Sequence, residues 1–136
     1  MFKKKDVQTL YSQLLKSIVS FMGNGITADD EIDQVGKALF STKWNGVFTS
    51  DAKYPLKGYC VVNLDKSGQP GSHWVAIANG NVYDSFGRCG LLARTGLTCA
   101  GDKSSDQKIK ENNCGQRSLA WLLVYQICGL KGANKV

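Results

Sequence analysis

From Gly115 to Cys128 the chain carries the run Leu119-Ala120-Trp121-Leu122-Leu123-Val124-Tyr125, which is apolar on all sides. A helix with no polar face has nothing to present to water, so it must lie in the centre of the domain with other elements around it. The rest of the chain can supply that cover. It has 136 residues, 43% of them hydrophobic, which suits one core and a single domain over residues 1–136. The charged residues, 21% of the chain, are spread along it among regularly spaced apolar positions, an argument against general disorder.

The covering elements can be read from periodicity. Leu10, Leu14, Leu15, Ile18, Val19 and Met22 recur at helical spacing, predicting an amphipathic helix from about Asp6 to Phe21 that ends at Gly23-Asn24-Gly25. Thr27, with Asp30 three residues on, resembles an N-cap arrangement for a second helix turning Ile32, Val35, Leu39 and Phe40 inward. Short β-rich runs follow at Gly46-Val47-Phe48 and Gly58 to Leu64, separated by a loop from Thr49 to Lys57. After turn chemistry from Asp65 to Gly71, His73 to Ala78 and Val82 to Phe86 flank Asn79-Gly80-Asn81, and an Asn-Gly between apolar runs is a strong hairpin signal. Gly87 to Asp106, with Leu91-Leu92 its only apolar pair, reads as a surface excursion, and the tail Gly129 to Val136 is expected to fray. The fold class is therefore α+β, a small, mainly antiparallel sheet packed on the buried central helix with the N-terminal helices beside it.

Composition excludes several function classes. No segment approaches the ~20 apolar residues of a membrane span. Nothing after Lys3-Lys4-Lys5 has the form of a secretory signal, so the protein is not expected to be secreted. Cys60, Cys89, Cys99, Cys114 and Cys128 are odd in number and lack CxxC spacing, favouring free thiols in a reducing compartment over disulfides or zinc. His73 is the only histidine, so no metal cofactor is expected.

Four positions could carry nucleophilic chemistry. Cys114 stands at the start of the buried helix, where backbone N–H groups and the helix dipole stabilise a thiolate; Asn112-Asn113 before it are good caps, and Gly115 permits close backbone approach. A small buried apolar cysteine would be the bland alternative. His73 begins one arm of the hairpin and Asp84 lies on the other, where cross-strand Cβ atoms are roughly 5 Å apart, so the carboxylate could orient the imidazole. Gln107, seven positions before Cys114, could join the Cys114 backbone N–H as an oxyanion donor.

The order His73, Asp84, Gln107, Cys114 resembles the adenovirus-protease-like (adenain-type) cysteine peptidases, relatives of the proteases that process ubiquitin-like modifiers. Gly71-Ser72-His73-Trp74-Val75-Ala76-Ile77 is similar to the family's His-Trp strand, Tyr83-Asp84-Ser85-Phe86-Gly87 to its acid-bearing strand, and Asn113-Cys114-Gly115-Gln116 to its nucleophile segment. Gly23-Asn24-Gly25-Ile26-Thr27 and Ser50-Asp51 resemble, less specifically, the maturation proteases of virophages, polinton-like viruses and large DNA viruses. The acid is Asp where the adenovirus enzyme uses Glu, and the chain is smaller than that enzyme.

The resemblance implies a viral cysteine endopeptidase that cleaves capsid or core precursor polypeptides during virion maturation, in the virion or the host cytoplasm or nucleus, with Cys114, His73, Asp84 and Gln107 as catalytic residues. It also implies that Trp74, with Gly115 nearby, helps form a narrow slot for glycine next to the scissile bond. A monomer is expected, with no required cofactor; a net charge of +6 and the adenovirus enzyme's stimulation by DNA suggest non-specific DNA as a stimulating partner. The rival readings are a deconjugating protease for ubiquitin-like modifiers, an acyltransferase with a similar triad, and a non-catalytic basic nucleic-acid-binding structural protein.

Overall fold

A computed structural model describes residues 2–64, 73–88, 96–102, 104–108 and 111–136. Helix α1 spans Lys4–Met22 and α2 Asp29–Phe40. Strands β1 (Trp44–Thr49), β2 (Tyr59–Asn63), β3 (Trp74–Ala78), β4 (Asn81–Tyr83) and β5 (Thr98–Cys99) precede the last helix, α3 (Cys114–Ala133). The strands form one sheet in the order β1-β2-β3-β4-β5. Its two central ladders, β2 with β3 and β3 with β4, are antiparallel, and the outer ladders are parallel. The class is α+β, as expected.

The expected hairpin is present. Ala78 pairs with Asn81 across a turn in which Asn79 and Gly80 both have positive φ, 48° and 82°, the backbone that matches strand twist and that Asn-Gly accepts at little cost. One face of the sheet, through Tyr59, Val61, Trp74, Ala76 and Tyr83, packs on α1, α2 and α3. In the middle lies Trp121, fully buried, with its ring parallel to Tyr83 at 5.3 Å and its indole N–H donating to the Ala133 carbonyl at 3.0 Å. On the other face Cys60, Val62, Val75, Ile77 and Val82 are covered by Tyr54 and flanked by Phe48 and Leu97, which explains why every residue of β2 and β3 is buried.

Several expectations are corrected. The tail does not fray: Gly129 breaks the helical backbone at φ 70°, after which the chain turns back so that Ala133 and Val136 enter the core. The Val136 carbonyl accepts the Asp102 N–H at 2.8 Å, and Lys135 donates to the Phe2 carbonyl, which joins the two basic ends of the chain. Thr27 does not cap α2. Ala28 holds that position and its N–H donates to the Glu31 carboxylate at 3.2 Å, while Thr27 is buried. The expected excursion contains β5, whose two residues complete the sheet edge; Leu91-Leu92 and the Asp65–Gly71 turn lie outside the described residues. Cys60, Cys114 and Cys128 are not in disulfides, but Cys99 is disulfide-bonded; Cys89 lies outside the described residues. Among the described residues no helix is long and apolar enough to cross a membrane.

Candidate active site

Antiparallel pairing brings the start of β3 and the end of β4 to one end of the sheet, and α3 begins there. Cys114 is the first residue of α3, buried, with Sγ accepting the Trp74 backbone N–H at 3.3 Å. Asn113 occupies the N-cap position, yet its side chain makes no capping bond. That side chain is buried and engaged elsewhere, accepting from Arg117 Nε at 3.0 Å and donating to Asn24 at 2.8 Å. The first turn of a long helix therefore presents its positive end at Cys114 without a side-chain oxygen in competition, a favourable setting for a thiolate.

His73 and Asp84 meet with Nε2 and Oδ1 2.7 Å apart, both residues buried. Asp84 Oδ1 also accepts the Phe86 N–H at 2.8 Å, fixing the carboxylate in its turn. With Nε2 taken by Asp84, Nδ1 is the ring nitrogen left for Cys114, which is near enough to act on the His73 pKa. Burial pulls the His73 pKa down, but the bonds and charges of Asp84 and Cys114 outweigh it and raise it to about 9. For Asp84 burial works upward, and the hydrogen bond and charge of His73 overcome it, leaving the carboxyl below its ordinary range. At neutral pH the geometry thus favours an imidazolium at His73 paired with an ionised Asp84. Phe86 covers the imidazole, ring centroids 5.0 Å apart.

Gln107 is buried and bonded to Ser85, the residue after Asp84. Its Oε1 accepts from Ser85 Oγ and its Nε2 donates to the Glu111 carbonyl, both at 2.6 Å, while its backbone N–H donates to the Ser85 carbonyl at 2.9 Å. Because a hydroxyl donates at one end and a carbonyl accepts at the other, the amide orientation is fixed, and one Nε2 hydrogen remains beyond the Glu111 bond. Glu111 is held in turn by the Lys108 N–H at 2.8 Å and by Arg117.

The remaining expected residues are placed differently. Trp74 belongs to the main core, 8% exposed, and reaches the site chiefly through its backbone N–H to Cys114. Gly115 faces inward: a Cβ there would lie 2.3 Å from Thr27 Oγ1 and 3.0 Å from Ile32 Cδ1, so its smallness serves helix packing behind Cys114. Sequence reasoning assigns no role to Ser85, which orients Gln107, or to Gln116. Gln116 is fully buried and donates to the Gly23 and Gly25 carbonyls at 2.7 and 2.9 Å. Together with the Asn113–Asn24 bond, these contacts tie the first turn of α3 to the α1–α2 connection. A polar residue at the head of an otherwise apolar helix is the signal that could have found it.

Among the described residues no group of three or more His, Cys, Asp or Glu side chains could hold a metal. What the assembled groups can do is nucleophilic acyl chemistry: a thiolate to attack, an imidazolium to protonate a leaving amine, and N–H donors at the helix start for an oxyanion. Comparison with protein-family models, with curated proteins and with solved structures returned no match, so the functional reading rests on this geometry and on the sequence words that surround it.

Proposed function

We propose that the chain is a cysteine endopeptidase of the adenovirus-protease-like type, acting on capsid or core precursor polypeptides during virion maturation. The observation that carries the reading is Cys114 at the head of α3, next to an imidazole whose Nε2 is held at 2.7 Å by buried Asp84 and whose pKa is raised in part by Cys114 itself. In this mechanism the Cys114 thiolate attacks the scissile carbonyl, and the Cys114 N–H and Gln107 Nε2 stabilise the oxyanion. His73 gives its proton to the leaving amine, then takes one from the water that resolves the acyl-enzyme, while Asp84 holds the ring throughout. The proposed preference for glycine before the scissile bond comes from the resemblance. Exposed lysines at the start of α1 and along it (Lys3, Lys5 and Lys16) make loose DNA association part of the proposal.

The test is incubation of the protein with capsid precursors encoded beside its gene and sequencing of the new termini. Cleavage after glycine that is lost in Cys114→Ala is the expected result. Intact precursors, with Gly-Gly-ended modifier probes captured at Cys114, would move the assignment to a deconjugase. No turnover of either would reject the peptidase reading.

A further inference from the structure

Phe86 touches two basic groups. Its ring centroid is 5.0 Å from that of the His73 imidazole, and the Arg88 guanidinium carbon lies over the same ring at 4.8 Å from its centroid. Arg88 and the imidazole are thus within about 10 Å of each other, the reach of three extended residues. The Arg88 side chain is 53% exposed. Its nearest described carboxylate is Asp84, with Nε 3.9 Å from Oδ2, too far for a hydrogen bond, and Asp84 already serves His73 through Oδ1. One carboxylate therefore stands against two cations, leaving the outer one to face solvent with its charge incompletely balanced.

The direction of the chemistry says which part of a substrate passes this point. The leaving amine must come within hydrogen-bond reach of His73 to be protonated, so the segment after the scissile bond departs on the imidazole side. We propose that Arg88, held over the Phe86 ring, is a specificity residue that receives a carboxylate of the substrate within the first three positions after the scissile bond. The inference rests on the peptidase reading. The guanidinium is well suited to this task because its planar donor fork accepts a carboxylate on one edge while the group stays over the ring.

The experiment uses the full chain and a set of peptides with glycine before the scissile bond. They carry Asp, Gln or Lys at each of the first three positions after it, all with amidated C-termini, and a neutral peptide ending in a free carboxylate three positions on separates a side-chain from a terminal acid. At one position the wild type should cleave the Asp peptide about threefold faster than Gln and about tenfold faster than Lys in kcat/KM, as a half-exposed ion pair allows. Arg88→Gln should level this order and Arg88→Glu should reverse it, while the rate of Cys114 alkylation by iodoacetamide stays at the wild-type value in both. A wild type indifferent to charge at all three positions, or an Asp preference that survives Arg88→Glu, would overturn the proposal and leave the peptidase reading standing. Failure to cleave any peptide, with alkylation intact, would overturn both.

Discussion

Asp84 reaches His73 at 2.7 Å from one residue beyond the last paired position of β4, which is Tyr83 opposite Ala76. Strand alternation explains the meeting. His73 shares its face of β3 with Val75 and Ile77, and Asp84 follows Val82 on the facing side of β4, so the tight Asn79-Gly80 turn sets both on one surface. Since nucleophile and base work as a unit, Cys114→Ala and His73→Ala should each lower kcat/KM by about 10⁴-fold or more. Asp84→Asn keeps the shape but loses the charge, and should leave activity down about a thousandfold. Peptide hydrolysis measures all three, and full activity in Cys114→Ala would remove Cys114 from the mechanism.

Gln107 offers a sharper distinction. Removing a transition-state donor lowers kcat while KM holds, so Gln107→Ala should reduce kcat about a hundredfold. Ser85→Ala leaves the amide in place and only frees it to rotate, so a drop of about tenfold or less is expected. Equal losses in the two variants, each with a raised KM, would mean that the pair serves only to hold the 104–108 segment on the sheet.

Most of the elements and the order of the candidate site residues are legible in the sequence because both are local signals. A 3.6-residue period, an Asn-Gly turn and a cysteine at a helix head declare themselves within a few residues. The features that sequence reading misses depend on partners distant in the chain. The burial of Val136 needs Asp102, the interior place of Thr27 needs Gly115, and the two-residue β5 needs the β4 edge. The tail reads as fraying because Gly129 is a stop signal, but it only kinks the helix; residues 130–136 make local helical bonds and are fixed in the core by contacts from elsewhere, among them the bonds of Ala133 to Trp121 and of Val136 to Asp102. Trp74 shows the same limit, since a strand aromatic beside a base looks alike from the sequence whether it lines a slot or fills a core.

The charge state of His73 has a consequence for stability. Its folded pKa, about 9, lies above the ordinary value of 6.5, so its contribution is fully present below pH 6.5 and is lost as pH rises toward about 9. Across that window folding stability should fall by up to about 1.4 kcal/mol per pH unit from this group. Urea denaturation of the wild type and His73→Gln at pH 6.5, 7.5 and 8.5 isolates it. The difference between the two should shrink as pH rises, and a constant difference would mean that His73 is neutral in the folded protein. Peptide hydrolysis should share the limb, declining near pH 9 as the imidazolium loses its proton.

Gly115→Ala tests the packing behind the nucleophile, and its sign is informative. In an exposed helix the change stabilises by up to about 1 kcal/mol, because alanine is the better helix former. Here the new methyl would stand 2.3 Å from Thr27 Oγ1 and 3.0 Å from Ile32 Cδ1, and Ile32 is fully buried with little room to move. Overpacking costs about 1–3 kcal/mol, so the net effect should be destabilising, with kcat reduced because the first turn of α3 must shift to relieve the overlap. Thr27 Oγ1 has no hydrogen-bond partner among the described residues, so Thr27→Ala removes the clashing atom without breaking a bond. Combined with Gly115→Ala it should therefore recover most of the lost stability and turnover, a coupling that denaturant melts and peptide hydrolysis of the two single variants and the double variant would read directly. Strictly additive losses in the double variant would show that Gly115 is required for some reason other than its contact with Thr27.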